Sequence, residues 1–417
     1  MNFITISLTL LYNLVISIYH FGIRVAALTN PKAAKWVAGR KNLLARMREE
    51  VDATERPIWM HCASLGEFEQ GRPIIERLKQ RNPNVKVLLT FFSPSGYEVR
   101  QDYEHASYVY YLPRDSKSNA RTFLEIVKPR VAIFVKYEYW LNYLSALKAA
   151  KVPTYLISAR LRKDQVFFKS YGGVFRRALG GMTRIFLQDQ VSNELAKSLG
   201  LQNTEVGGDT RYDRVSETVE NAGDVQGLNA FVGEEQVFIG GSTWPVDEAF
   251  ILPFINAASA KFKFILAPHV VDDKHIDEIE RNLDVACIRY SNIESGDVEA
   301  ARVLIIDNVG MLSNLYKYGH IAYVGGGFTG ALHNILEPAA FGMPVLFGPR
   351  FDKFPEAEEL IEAGGAFAII DGLDFVKRMS FLSDPFVIKI AAEMSRKFVR
   401  DQVGAADKVV EAIQLEL

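Results

Sequence analysis

The chain alternates short apolar runs with amphipathic stretches, and it does so in two successive series. The first series includes apolar runs at 58–62 and 131–135, and the second includes runs at 237–241 and 321–324. This alternation is typical of βα units in a parallel sheet. A polar, acidic stretch at about 215–235 separates the two series and predicts a linker. We therefore expect an α/β protein with two doubly wound halves and a cleft between them.

The composition supports more than one core. The chain has 417 residues, of which 48% are hydrophobic and 24% are charged, so two or three domains are expected. We predict a membrane anchor at 1–28, an N-terminal domain at 29–220 and a C-terminal domain at 221–417. The two cysteines, Cys62 and Cys287, lie far apart and outside any Cys/His cluster. Their placement argues against structural zinc and disulfides and fits a reducing compartment.

The N-terminal segment carries no Lys, Arg, Asp or Glu before Arg24. Its length and apolar character approach those of a spanning helix, although polar residues such as Asn13 and His20 interrupt it. Basic residues follow the segment instead of preceding it, which argues against a cleaved signal peptide. By the positive-inside rule, the body of the protein stays in the cytoplasm. We interpret the segment as a signal-anchor or an interfacial helix.

The two halves of the chain carry opposite charge. Residues 1–214 hold 32 basic and 19 acidic side chains, whereas the remainder holds 16 and 31. The first half is therefore expected to face lipid headgroups, phosphates or nucleic acid, unless the two halves attract each other across the cleft. Within 160–184, an anionic lipid or a phosphorylated acceptor fits at least as well as nucleic acid. The predicted acceptor-side basic patch consists of Arg160, Arg162, Lys163, Arg176 and Arg177.

Two carboxylates are predicted at strand-to-helix junctions. Glu67 lies in the first turn of a helix that follows a strand, where α/β enzymes bind ligands and a helix N-terminus favours the ionised form. It is a candidate general base. Ser64 and Glu67 also have the spacing of a capping box, which requires no catalysis. Glu138 starts a later helix beside Tyr139 and Trp140, which offer apolar or sugar-stacking surface, although a Glu that only neutralises a helix dipole fits as well.

The second series contains a strand that runs into Gly325, Gly326 and Gly327 and then, we expect, directly into a helix. Backbone N–H groups at such a turn can approach a phosphate, although any tight βα turn uses glycine. Glu337 follows one turn into the helix and precedes Pro338. Its carboxylate can accept hydrogen bonds from ribose hydroxyls.

Four segments occur in a specific order: 63–67 (Ala-Ser-Leu-Gly-Glu), 137–140 (Tyr-Glu-Tyr-Trp), 240–243 (Gly-Gly-Ser-Thr) and 333–340 (His-Asn-Ile-Leu-Glu-Pro-Ala-Ala). Together they resemble the 3-deoxy-D-manno-octulosonic acid (Kdo) transferases of lipopolysaccharide biosynthesis, over essentially the whole chain. The resemblance implies the B-type glycosyltransferase fold, with two Rossmann-like domains facing a cleft. It also implies transfer of Kdo from CMP-Kdo to a phosphorylated lipid A precursor of the lipid IVA type, at the cytoplasmic face of the inner membrane. The implied reaction inverts the anomeric centre and uses no metal and no cofactor.

The resemblance also implies roles for individual residues. Glu67 corresponds to the family's general base and Glu138 to its second essential carboxylate. Arg211 stands where the family often has Lys, and it keeps the positive charge without the Lys geometry. The residues that correspond to CMP-binding loops are Pro268, His269, Gly310, Met311, Leu312, Asn334, Ile335, Leu336 and Glu337.

Two donor-side loops depart from the family pattern. Many relatives have Pro-Arg-His-Pro where this chain has Pro268, His269, Val270 and Val271, so an expected Arg is missing. In the other loop, Trp244 and the residues after it replace a more usual His-Pro-Gly-Glu.

The transfer reaction that the resemblance implies requires these residues to act in two steps. Glu67 removes the acceptor's hydroxyl proton as that oxygen attacks the anomeric carbon. CMP then leaves with its phosphate held by helix N-termini and Arg211. Two other functions are weighed against this one: a sugar-nucleotide epimerase of the same fold, and a non-catalytic membrane-docked lipid-binding module. The epimerase leaves the anchor and basic half unexplained, and the module leaves Glu67 and Glu337 unexplained. No nucleic-acid partner is expected.

Overall fold

The computed structural model describes residues 3–294 and 296–416. The chain forms two compact units, Met1–Arg214 together with Gly404–Leu417, and Val215–Val403. Each unit is built on a seven-stranded parallel sheet, as the alternating apolar runs predict.

The sheet of the first unit has its earliest strand near the centre. Its strand order is β3-β2-β1-β4-β5-β6-β7, with every neighbouring pair parallel. The strands are β1 (Ile58–Cys62), β2 (Val87–Phe91), β3 (Tyr108–Tyr111), β4 (Val131–Val135), β5 (Thr154–Ala159), β6 (Arg184–Leu187) and β7 (Thr204–Val206).

The helices of the first unit alternate with these strands, after three helices that precede β1. They are α1 (Phe3–Ala26), α2 (Pro31–Ala38), α3 (Leu43–Glu50), α4 (Leu65–Arg81), α5 (Pro94–Arg100), α6 (Lys117–Val127), α7 (Leu141–Ala149), α8 (Gly173–Leu179), α9 (Gln190–Ser198) and α10 (Thr210–Glu220).

Strand β1 shows how the first sheet is covered on both faces. All five of its residues are buried. Trp59 points into a core with Phe123 and Tyr143, from α6 and α7. The neighbours of Trp59 in β1, Ile58 and Met60, belong to the core of the opposite face, which also contains Phe68 from α4. Burial on both faces is the reason that this strand reads as a continuous apolar run.

The second unit repeats the plan. Its strand order is β10-β11-β9-β8-β12-β13-β14, again with every pair parallel. The strands are β8 (Gln236–Thr243), β9 (Phe262–Pro268), β10 (Cys287–Arg289), β11 (Val303–Ile305), β12 (Ile321–Val324), β13 (Val345–Phe347) and β14 (Ala366–Ala368). The helices are α11 (Leu228–Val232), α12 (Pro245–Ala257), α13 (Asp273–Arg281), α14 (Leu312–Leu315), α15 (Leu336–Ala340), α16 (Pro355–Glu362), α17 (Gly372–Leu382) and α18 (Pro385–Arg400).

Two features differ from the sequence-based prediction. The expected linker at 215–235 contains the end of α10 and all of α11, and the boundary between the units falls at 214/215 instead of 220/221. The last helix, α19 (Ala405–Gln414), was assigned with the rest of 221–417 to the C-terminal domain, but it belongs to the first unit. Its apolar residues Val409, Val410 and Ile413 complete the core next to α4.

A buried carboxylate connects this last helix to the rest of the first unit. Asp213 is fully buried. It accepts hydrogen bonds from the backbone N–H groups of Gly404 (3.0 Å) and Ala406 (3.2 Å), at the N-terminus of α19. Arg77 on α4 donates to the same carboxylate at 2.9 Å. The favourable position of a carboxylate at a helix N-terminus and its pairing with Arg77 offset the cost of burying it.

We expect Asp213→Ala to destabilise the docking of α19. Removing the carboxylate deprives two backbone N–H groups of their acceptor and takes the buried partner from Arg77, whose Nε still lies 3.6 Å from the more exposed Asp407. The expected cost is about 3–5 kcal/mol. Hydrogen exchange should therefore accelerate in 405–414 of the full-length protein. Asp407→Ala is the control, because Asp407 lies on the same helix but is 48% exposed, and its removal should cost about 1 kcal/mol or less. Equal exchange in both variants would contradict this account.

Candidate active site

The two candidate carboxylates of the first unit, and part of the predicted donor-site residues of the second, lie where the strand order of each sheet reverses. In the first sheet this point lies between β1 and β4, and in the second it lies between β8 and β12. Open parallel sheets bind ligands outside the carboxyl ends of the strands at this switch point. Glu67 follows β1 and Glu138 follows β4, while Ser242 lies at the end of β8 and His333 follows β12.

Glu67 lies in the first turn of α4, as predicted, and its side chain is half-buried. The capping-box interpretation is wrong, because the side chain of Ser64 makes no hydrogen bond to the backbone of α4. The Ser64 hydroxyl instead donates to the Glu67 carboxylate. This contact holds the carboxylate beside the N-terminus of α4, whose dipole favours its charged form.

Glu138 is buried and held on two sides, but it does not start a helix as predicted. It lies in the turn before α7, and Trp140 is the N-cap residue. The indole N–H of Trp140 donates to the Glu138 carboxylate. His61, fully buried on β1, places its Nε2 at 3.1 Å from the same carboxylate, and its Nδ1 lies 2.9 Å from the hydroxyl of Thr90. These partners fix the carboxylate in one position.

The turn before Glu138 explains the late start of α7. Lys136 adopts a left-handed backbone conformation (φ 65°) directly after β4. The chain therefore turns out of the sheet before it can enter a helix. The two aromatic residues expected to offer a sugar-stacking surface pack internally: Trp140 stacks on Phe92 at 5.2 Å, and Tyr139 lies edge-on to Phe167 at 5.3 Å.

Glu67 and Glu138 both influence the thiol of Cys62. Burial raises the pKa of the Cys62 thiol, and the negative charges of Glu67 and Glu138 raise it further. Cys62 is the last residue of β1 and is fully buried. Glu67 and Glu138 thus both lie close enough to the end of β1 to act on it electrostatically.

Arg211 is held by an acidic neighbour. Its Nε donates to Asp209 at 2.9 Å, and its Nη2 lies 2.8 Å from the same oxygen. Gln188 also donates to Asp209. The carboxylate orients the guanidinium group and offsets part of its charge.

The basic patch has a mixed character. Arg176 donates to the backbone carbonyls of Phe167 and Lys169 and so stabilises the turns before α8. Arg162 is exposed and donates to the hydroxyl of Tyr137, which directly precedes Glu138. The other members of the patch lie on or near the surface of the same unit: Arg160, which is 3.5 Å from Asp189, and the exposed Lys163 and Arg177.

In the second unit, a small cavity of about 240 Å³ lies at the switch point. Glu337 lines it and accepts hydrogen bonds from Ser313 (2.8 Å) and from the side-chain amide of Asn334 (2.9 Å). Of the predicted donor-site residues, the structure brings together Gly310, Leu312, Asn334 and Glu337 around this cavity.

The other predicted donor-site residues do not line this cavity. Ile335 and Leu336 are buried in the packing around α15, and Pro268 is buried at the end of β9. Met311 is half-buried and packs against a core of the second unit. His269 is exposed and stacks on Trp244 at 4.3 Å.

Five residues that line the cavity were not assigned from the sequence: Ser242, Ser313, Tyr316, Val324 and His333. Ser242 has a left-handed backbone (φ 52°) at the end of β8, a conformation that a non-glycine residue adopts at some energetic cost. Its place in the 240–243 segment was a signal that the sequence contained. Burial and the neighbouring His269 lower the pKa of His333.

The helix expected directly after the three glycines is not found there. No helix follows them directly, because α15 begins only at Leu336. A Cβ on Gly325 would lie 2.0 Å from the carbonyl oxygen of Ser242, and one on Gly327 would lie 2.4 Å from the backbone nitrogen of Gly348. Glycine is required here because the loop packs tightly against backbone.

Helix α1 contains a segment, Leu8–Ala26, that is long and apolar enough to cross a membrane. One side of the helix contacts the first unit: the Asn142 side-chain amide donates to Asn13 (2.9 Å), and Arg114 donates to Ser17. A second stripe is apolar and exposed, at Leu10, Leu14, Ile18, Phe21 and Val25. The helix therefore turns polar groups towards the protein and apolar groups outwards.

Within 3–294 and 296–416, no group of three or more His, Cys, Asp or Glu side chains is arranged to hold a metal ion. The expectation of a reaction without a metal stays a prediction.

Comparison with known proteins covers most of the chain. Residues 38–214 match the family described as 3-deoxy-D-manno-octulosonic-acid transferase (kdotransferase). A 3-deoxy-D-manno-octulosonic acid transferase of Aquifex aeolicus is 27% identical over 343 residues, 80% of this chain and 88% of that protein. The Haemophilus influenzae protein of the same name is 27% identical over 362 residues, 84% of this chain and 82% of that protein. The resemblance predicted from the four ordered segments is confirmed.

A solved structure supports the fold. UDP-GlcNAc 2-epimerase from Neisseria meningitidis matches with a TM-score of 0.63 at 17% identity, covering 87% of this chain and 100% of that protein. At this identity the match concerns the fold alone. The predicted B-type glycosyltransferase fold, with two Rossmann-like domains and an apolar N-terminal helix, is confirmed.

The hydrogen bonding of Ser64 gives a prediction about stability. Ser64→Ala should change the free energy of unfolding by about 0.5 kcal/mol or less, because it removes a partly exposed side-chain bond to Glu67 and no helix cap. Ser116→Ala is the matched comparison, since the Ser116 side chain does cap α6 by accepting from the N–H of Asn119. It should cost about 0.5–2 kcal/mol. Denaturant titration would check both, and a larger loss for Ser64→Ala would restore the capping role.

Proposed function

We propose that this chain, similar to Kdo transferases over most of its length, transfers Kdo from CMP-Kdo to a phosphorylated lipid A precursor of the lipid IVA type. The reaction inverts the anomeric centre, needs no metal, and takes place at the cytoplasmic face of the inner membrane. The observation that carries the proposal is the pair of carboxylates at the switch point of the first sheet. Glu67 is partly exposed and Glu138 is buried and fixed, and the ordered segments that contain them resemble those of Kdo transferases.

Glu67 is the better placed of the two to act as the base. A general base must reach the substrate's proton, and the Glu67 carboxylate lies at the surface end of α4. The hydrogen bond from Ser64 orients it and leaves its second oxygen for the acceptor hydroxyl. As that hydroxyl attacks the anomeric carbon, Glu67 takes its proton and the bond to the CMP phosphate breaks.

Glu138 acts through position and charge. Its carboxylate accepts from Trp140 and lies next to His61, so its orientation is set before substrate arrives. A fixed negative charge beside the end of β1 favours the positive charge that develops on the sugar ring as the phosphate departs. This role requires no proton transfer by Glu138.

On the donor side, Glu337 is proposed to bind the ribose of CMP. Its two oxygens already accept from Ser313 and Asn334, which orient the carboxylate at the wall of the cavity. A carboxylate in this arrangement can accept further hydrogen bonds from two ribose hydroxyls. Arg211, oriented by Asp209, is proposed to neutralise charge on the departing phosphate.

The membrane side of the proposal rests on α1 and the charge of the first unit. The outward apolar stripe of α1 would enter the bilayer, and the basic residues that follow it would meet anionic headgroups. The basic patch, with Arg162 beside Tyr137, would then receive a phosphorylated acceptor near Glu138.

Two alternatives are separated from the proposal by one assay. An epimerase shares the fold, but the likeness to the solved epimerase is 17% in sequence and concerns the fold alone. A lipid-binding module would need none of the donor-side geometry. The full-length protein is incubated with CMP-Kdo and a lipid A precursor, with and without EDTA. The masses of the products are then measured by mass spectrometry. A Kdo-bearing lipid at equal yield with EDTA supports the proposal, and its absence contradicts it.

Glu67→Gln should lower turnover by about 10²–10⁴-fold with folding and CMP binding preserved. The amide keeps the shape and can still bond to Ser64, but it cannot take a proton. Steady-state transfer kinetics provide the measurement. The control is Glu69→Gln on the same helix, whose carboxylate accepts from Arg100 at 2.8 Å; its turnover should stay within about threefold of wild type. A well-folded, fully active Glu67→Gln protein would transfer the role of base to Glu138.

Glu337→Ala should weaken binding of CMP by about one to two decades, because two hydrogen bonds to ribose contribute roughly 1–3 kcal/mol. Calorimetric titration with CMP measures the effect. Glu358→Ala, an exposed change in the same unit, should leave the affinity unchanged. If both variants bind CMP equally well, Glu337 has only a structural role.

A further inference from the structure

The first unit contains a second, larger cavity that the proposed reaction does not use. It has a volume of about 870 Å³ and is lined by α1, by the segment that joins α2 to α3, and by residues that follow β3. We name it the α1 cavity, and its defining residues are Phe21, Arg24, Arg40, Lys41 and Arg114. Neither Glu67 nor Glu138 lines it.

The lining of the α1 cavity is strongly cationic. It includes Arg24, Arg40, Lys41 and Arg114, and it contains no carboxylate among the residues that the structure describes. Arg40 has a structural role, because it donates hydrogen bonds to the carbonyls of Leu112 and Phe92. Burial lowers its pKa to about 9, which leaves it charged at neutral pH. The cavity therefore has a positive potential that its own side chains do not neutralise.

Three nitrogen atoms in the same wall also lack partners. His20 Nε2, Trp36 Nε1 and Arg114 Nε are shielded from solvent and find no hydrogen-bond partner among the described residues. All three side chains line the α1 cavity. Leaving a buried polar group unpaired costs about 1–3 kcal/mol. Because these nitrogens are closed to solvent, a ligand in the cavity would contact the cationic groups of Arg24, Lys41 and Arg114 and not these three atoms.

The position of the cavity adds an apolar requirement. Phe21 lines it and at the same time belongs to the outward apolar stripe of α1, where it is 67% exposed. Val37 and Leu44 contribute further apolar lining. A ligand that enters beside Phe21 must therefore combine an anionic group with an apolar part.

We propose that the α1 cavity binds the phosphate-bearing headgroup of a lipid, with the acyl chains lying along the exposed stripe of α1. Arg24 and Lys41 are exposed at the cavity and supply the first attraction. Arg114 is half-buried, lines the cavity and is held by its bond to Ser17. A phosphate has the acceptor oxygens that these groups require, and guanidinium groups bind it in defined geometry.

The cavity is connected by packing to Glu138, the buried carboxylate of the candidate site. Trp36 lies edge-on to Phe92 at 5.7 Å, and Phe92 stacks on Trp140, which holds Glu138. The phosphate can therefore belong either to a phospholipid of the bilayer or to the phosphorylated acceptor lipid. These two sources share one chemistry, and the choice between them rests on the proposed function.

The binding test uses full-length protein in a neutral detergent. Dihexanoyl phosphatidic acid, a soluble lipid with a phosphomonoester, is titrated into the protein by calorimetry. Its affinity is compared with that of dihexanoyl phosphatidylcholine, measured in the same way. The test variant is Arg24→Gln with Lys41→Gln, because both side chains are exposed and the fold should tolerate their loss. The matched control is Lys32→Gln with Lys35→Gln, which removes the same charge from the exposed side of α2, outside the cavity.

We expect wild-type protein and the α2 control to bind phosphatidic acid at least about tenfold more tightly than phosphatidylcholine. The Arg24/Lys41 variant should lose that preference. Arg114→Gln provides an independent variant of the cavity lining and should weaken binding in the same way. Equal affinity of wild type for both lipids, or equal affinity of the cavity variant and the α2 control for phosphatidic acid, overturns the proposal.

A kinetic measurement then identifies the source of the phosphate. If it belongs to the acceptor, the Arg24/Lys41 variant should raise the KM for the lipid A precursor about tenfold with little change in kcat. If it belongs to the bilayer, the KM should stay constant while phosphatidic acid binding is lost. Failure of all transfer in wild-type protein would contradict the proposed function and leave the binding measurement unaffected.

Discussion

The reversal of strand order in each parallel sheet is the constraint on which the candidate site depends. Between β1 and β4, and again between β8 and β12, neighbouring connections leave the sheet in opposite directions. The loops after these strands are therefore not covered by a crossing helix, and polar groups can collect there. In the first unit the exposed edge is supported from beneath by His61, which is fully buried and still places a ring nitrogen next to Glu138. In the second unit it is supported by the hydrogen bonds that Ser313 and Asn334 make to Glu337.

The sequence allowed the architecture to be predicted because burial on both faces leaves a strong local signal. The central strands were found as continuous apolar runs. Strands β7, β10 and β14 were not assigned, because they are short, lie at the edges of their sheets and are partly exposed, which weakens the apolar signal. The position of Glu67 was predicted correctly because it depends on a single strand-to-helix turn. The hydrogen bond that Glu67 accepts from Ser64 was not predicted. A Ser three residues before a Glu predicts a capping box, and only the side-chain rotamers reveal that the hydroxyl donates to the carboxylate.

The remaining differences arise from contacts that are distant in sequence. Glu138 precedes its helix because Lys136 takes a left-handed conformation, and its orientation depends on His61, which lies 77 residues earlier. The glycines after β12 look like a phosphate-binding turn, but the atoms that exclude a side chain belong to Ser242 and Gly348. The polar residues of α1 look like flaws in a membrane helix until Asn142 and Arg114 are seen to contact them. None of these partners can be inferred from local spacing.

The return of α19 to the first unit has a consequence for the order in which the protein is made. A ribosome completes residues 1–214 long before it reaches 405–414, yet the core beside α4 requires Val409, Val410 and Ile413. Until then Asp213 can pair with Arg77. It cannot accept the hydrogen bonds from the backbone N–H groups at the start of α19, because that helix has not been made. The unit that begins at the N-terminus is thus the last to close, after the whole of 215–403 has emerged. During synthesis, an apolar groove on α4 stays open for about half the length of the chain, available to chaperones and vulnerable to premature association.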